Sequence, residues 1–143
     1  MPIRILAVVF LTLAAFAPSA AAAGTTLEGK TIGWADISLN FSDGGVPISW
    51  KVAPLSINCK KATLDTRKLT IRSFDTSSPD GFADVSKIKE RYGRYTVRST
   101  LDLNGEHVDG FWLGGFTRTS TVMRRGRTID TCKEGAEWHT FED

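Results

Sequence analysis

Histidine is nearly missing from this chain, and methionine, tyrosine and cysteine are just as scarce: each occurs twice in 143 residues. So few imidazoles and thiols leave little material for a metal centre or a thiol nucleophile. No Gly-x-Ser-x-Gly element occurs, so the nucleophile elbow of a serine hydrolase is absent. Paired Cys and His at zinc-ligand spacing are absent as well. The series Gly110, Gly114, Gly115 lacks the Gly-Lys-Ser/Thr ending and the following helix of a phosphate loop. Charge of one sign is also lacking: 18 basic residues face 16 acidic ones, a net of +2. That balance gives no reason to expect nucleic acid or an anionic membrane as partner. No internal repeat, low-complexity tract or linker divides the chain.

Long apolar runs are missing too, with one exception. Residues 5–16 are an apolar run of twelve, preceded by Arg4, broken by Pro18 and followed by small residues at 19–23. A membrane-spanning helix needs about 20 apolar residues, so stable membrane insertion is not expected. A positive start, a short apolar stretch and an A-x-A-like zone read as a secretory signal. Residues 1–23 are expected to be that signal, cleaved after Ala22 or Ala23, and residues 24–143 a single exported domain, periplasmic or secreted. Taking Arg4 from the 18 basic residues leaves 17 against 16 acids. Export places Cys59 and Cys132 in an oxidising compartment, where they most simply pair with each other. The bridge closes a loop of 73 positions (132 − 59), worth at most about 4 kcal/mol as lost chain entropy.

What is present is alternation. Ala35, Ile37, Leu39 and Phe41 share one face of a strand, and Trp34, Asp36, Ser38 and Asn40 share the other. A turn at Ser42-Asp43-Gly44-Gly45 leads to Ile48, Trp50 and Val52, and Pro54 interrupts that strand. Leu55, Ile57 and Cys59 alternate next, which fits a buried half-cystine. The stretches 60–68 and 75–80 read as loops, and 86–92 as one or two helical turns, with Ile88 and Tyr92 at i,i+4. From Arg94 alternation is strong, and Asn104-Gly105 is the expected two-residue hairpin turn. The return strand from Val108 carries large apolar groups on both faces and is expected to be central. Arg124-Arg125-Gly126-Arg127 is a further turn. Gly135 is expected to turn the chain into a last strand, 136–141. About seven to nine short strands and almost no helix predict an all-β antiparallel sandwich or small barrel with one disulfide.

The order Gly29-Lys30-Thr31, Cys59, Gly81-Phe82, the hairpin around Asn104, then Cys132, Gly135 and Trp138 resembles small exported bacterial β-sandwich proteins with two cysteines. The resemblance spans nearly the whole mature chain and implies a fold and an exported life. It brings no activity.

Two function classes follow. The first is a non-enzymatic binding or surface-interaction module with a protein or glycan partner. Its candidate surface is the aromatic and apolar set Trp34, Phe111 and Leu113, with the basic turn Arg124, Arg125 and Arg127, which suits an anionic glycan or lipopolysaccharide head group. The second is a small hydrolase or metal-dependent enzyme. Here the pairs His107/Asp109 and Glu137/His139, two apart on their strands, would converge. No catalytic residue, metal or cofactor is assigned from the sequence.

Overall fold

The computed structural model describes residues 24–66 and 68–141, without the side chains of Asp65 and Thr66. The expected signal at 1–23 lies outside the described residues. Eleven strands follow one another: β1 (Thr26–Thr31), β2 (Asp36–Phe41), β3 (Pro47–Ala53), β4 (Leu55–Asn58), β5 (Thr63–Thr66), β6 (Leu69–Ile71), β7 (Thr76–Ser78), β8 (Gly81–Tyr92), β9 (Tyr95–Val108), β10 (Phe111–Arg124) and β11 (Arg127–Thr140). Nine form one antiparallel sheet in the order β6-β3-β2-β1-β11-β10-β9-β8-β7, and β4 and β5 pair separately.

Of the expected sandwich or small barrel, the all-β antiparallel character stands, and the form is one sheet curled into a half-barrel and not two stacked layers. Curling is visible in the side chains. Trp50 of β3 lies three strands from β11, yet its ring centroid is 6.2 Å from that of Trp138 and 5.5 Å from that of Phe116 on β10. Phe41 of β2 meets Trp112 of β10 at 5.4 Å. Near the two ends of the sheet, the Ser77 hydroxyl donates to the Pro47 carbonyl at 2.6 Å. These aromatics, with Ile37, Leu39, Val52, Leu101 and Leu103, make the main core on the concave face.

Strands β8 to β11 are 12 to 14 residues long and run beyond this core. β1 meets β11 only from Trp138 to Thr140. The rest of the four long strands forms a blade, and the β4–β5 hairpin covers its concave side. Ile57 and Leu64 of the hairpin pack with Val97 and Val122 of the blade as a second apolar cluster. The Cys59–Cys132 disulfide fastens the hairpin to β11. A disulfide here is consistent with an oxidising environment.

Several expectations about turns, a helix and loops are corrected. Asn104-Gly105 lies inside β9; the hairpin turns at Asp109-Gly110, with φ of 50° and 87°. Gly105 serves packing instead. A Cβ there would sit 2.4 Å from Phe82 and 2.9 Å from Trp138. Gly114, its cross-strand partner, is equally closed by Trp138 and by the Asn104 carbonyl oxygen at 2.1 Å. The two glycines give the indole a flat floor. Residues 86–92 are strand and not helix: Ser86, Ile88, Glu90 and Tyr92 turn to the concave side by simple alternation. Gly135 lies within β11 and makes no turn. The stretches expected as loops hold β5 and β7. The Arg125-Gly126 turn stands, with φ of 51° and 75°.

Candidate functional site

Because cross-strand partners share a face, the ladder register alone assembles the convex surface of the blade. Arg91, Thr96, Met123 and Thr128 form the row nearest the Arg125-Gly126 tip. Next comes Lys89, Arg98, Thr121 and Thr131, then Lys87, Thr100, Thr119 and Lys133. Every one of these side chains is exposed or half-exposed. The three rows hold five cations, six threonine hydroxyls and no carboxylate. No ion pair among the described residues engages any of the five. Neighbours stand about 4.8 Å apart across strands and about 7 Å apart along them. A shallow depression of about 400 Å³ opens in this field beside Lys87, Arg98, Thr100, Thr119 and Thr121.

Farther from the tip the sign reverses. The next rows bring Asp102 with Thr117, Asn104 with Gly115 and Glu137, and Glu106 with Leu113 and His139. With no side chain at Gly115, the surface sinks into a hollow of about 760 Å³ that Ile32, Leu113, Glu106, Glu137 and His139 border. The convex face is thus polarised, basic and hydroxyl-rich near the tip, acidic and partly apolar at the other end.

The residues singled out from sequence scatter over this surface. Arg125 and Arg127 are exposed at the tip and Arg124 is half-buried, so the basic turn extends the cationic field. Leu113 is exposed and borders the acidic hollow; Phe111, half-buried, follows it on the same face. Trp34 is 81% exposed on the β1–β2 turn, at a φ of 68°, and is not on the polar face of a strand as expected. Ile32, two residues earlier, borders the hollow; Trp34 does not. Phe111 and Leu113 share the convex face, and Trp34 stands apart from the strands on its turn.

The four candidate metal ligands do not converge either. His107 pairs with buried Trp112 and lies on its concave face, with ring centroids 5.4 Å apart. His139 pairs with Leu113, and Glu137 follows the same convex face. Asp109 sits in the turn. Among the described residues no group of three His, Cys, Asp or Glu side chains is placed to hold a metal. With the turn at Asp109-Gly110, the ladder register puts the two histidines on opposite faces.

One polar constellation went unnoticed in the sequence. Arg118 is fully buried between the two apolar clusters. Its Nε donates to Ser99 Oγ at 3.0 Å, and it forms an ion pair with Glu90. Ser99 and Ser120 hydroxyls meet at 2.9 Å. Glu134 lies directly across the strands from Arg118. Burial pushes the Glu134 carboxyl above its ordinary value, against the pull of Arg118 and a hydrogen bond from the Asn58 backbone. Arg118 Nη1 and Glu134 Oε1 make no hydrogen bond. Without solvent contact, this guanidinium is held inside the fold by Ser99 and Glu90. The signal that could have found it is alternation: Arg118 falls in phase with Trp112, Phe116 and Val122.

No known protein family, curated protein or solved structure matches this chain.

Proposed function

We propose that this is an exported, non-enzymatic binding module whose cationic, threonine-lined convex surface takes an acidic glycan. The observation that carries the reading is the field of Lys87, Lys89, Arg91, Arg98 and Lys133 with six interleaved threonines and no acid. Each exposed cation contributes about 0.2–1 kcal/mol to an anion contact, so useful affinity needs a repeating anion that meets several at once. A polyuronate or sulfated glycan offers such a repeat, and its hydroxyls can exchange hydrogen bonds with the threonines. The field contains no aromatic side chain. Neutral sugars and unpaired bases are held largely by stacking on such rings, which argues for charge and hydroxyl recognition here.

Titration calorimetry of the oxidised protein tests this. Alginate is expected to bind with an affinity that falls steeply with salt, while a neutral glucan stays silent. Tighter binding of duplex DNA than of alginate, or salt-independent glucan binding, overturns the reading.

A further inference from the structure

The long side of β8 is an open sheet edge. β7 pairs only with Gly81, Phe82 and Ala83, and among the described residues no strand lies beside residues 84–92 on the side away from β9. The Val85 amide donates to the Asp75 carboxylate at 2.9 Å, so it points out of the ladder. In an antiparallel ladder the main-chain groups alternate in direction. The N–H and C=O groups of Lys87, Lys89 and Arg91 therefore point outward as well. Nine residues of edge span about 30 Å.

We infer that this edge accepts an extended acidic segment of another protein by antiparallel strand addition. This goes beyond the glycan reading: the contacts are main-chain, and the partner is a polypeptide. Three observations choose the occupant. Lys87, Lys89 and Arg91 carry their charges on the convex side, about 5 Å from where an added strand would place its own side chains. Half-buried Ile88 and Tyr92 lie on the concave side, with Glu90 between them turned inward to Arg118, so the added strand meets cations on one face and a partly apolar surface on the other. The Asp75 carboxylate already supplies an anionic acceptor to this edge. An antiparallel copy of β8 is disfavoured, since it brings the same three cations against one another. The fitting segment alternates carboxylates with β-branched apolar residues.

The test uses the oxidised protein and a seven-residue peptide alternating glutamate and valine, followed by amide hydrogen exchange. Peptide is expected to slow exchange at Lys87, Lys89 and Arg91 by roughly tenfold, as a newly made hydrogen bond would. Alginate at saturating concentration is expected to leave those three amides unchanged. Lys89→Gln removes a charge and keeps the N–H; Lys89→Pro removes both, at an edge position where proline is tolerated. The proline variant is expected to lose clearly more peptide affinity than the glutamine variant. Unprotected amides, equal losses in the two variants, equal protection by alginate, or self-association through β8 each overturn the inference. The exchange measurement on the unsubstituted protein stands even if the proline variant fails to fold.

Discussion

Arg118 and Glu134 face each other across β10 and β11, the first fully buried and the second half-buried. Arg118 is held by Glu90 and Ser99, so its charge is compensated. Glu134 is less well served, with one oxygen lacking a hydrogen bond and a carboxyl whose burial favours the neutral form. Its folded pKa lies above the ordinary 4.5. The stability this group contributes is therefore present below that value and is lost as pH rises through the folded pKa. Glu134→Gln is expected to raise the denaturation midpoint at pH 7, and the gain is expected to shrink as pH falls through the folded pKa and to be gone below 4.5. A gain of equal size at both ends of that range would mean the carboxylate is adequately solvated in the fold.

At the scale of elements, two devices decide the shape. The first is the glycine pair beneath Trp138. A Cβ at Gly114 would overlap the Asn104 carbonyl oxygen and the indole. Gly114→Ala is expected to cost about 2 kcal/mol or more, as overpacking of a tight core does, read from a denaturant curve. Gly110→Ala, where the space is open and only the positive φ objects, is expected to cost about 1 kcal/mol. The second device is the hairpin on its disulfide. Reduction of Cys59–Cys132 is expected to lower stability by up to about 4 kcal/mol. It is also expected to loosen the packing of Ile57 and Leu64 on Val97 and Val122 of the blade, seen as faster amide exchange at β4 and β5.

Alternation revealed β2, β3, β9 and β10, the half-cystine beside Ile57 and the basic tip at Arg125-Gly126. It failed at glycines, because the same residue serves a turn at Gly110 and a close approach at Gly105, and local sequence does not separate the two. It failed also at residues 86–92. There a polar convex side and a mixed concave side, with Glu90 turned inward to Arg118, weakened the period-two signal.

For the molecule as a whole, a net charge of +2 conceals a strong division. The cations of β8, β9 and β11 gather near the tip, and Asp102, Glu106 and Glu137 gather at the other end of the same convex face. Composition cannot reveal this, since it depends on which strands pair and in which register. Lys87, Arg98 and Lys133 supply one cation of this field from each of β8, β9 and β11. The most direct measurement compares alginate affinity of the unsubstituted protein with that of a Lys87→Gln, Arg98→Gln, Lys133→Gln triple variant and of an Asp102→Asn, Glu106→Gln, Glu137→Gln triple variant at one low salt concentration. Neutralising the three cations is expected to remove about 2 kcal/mol, roughly thirtyfold in Kd, while neutralising the three acids leaves affinity the same or tighter. Equal affinity in the first variant, or a loss confined to the second, would contradict the placement of the binding surface.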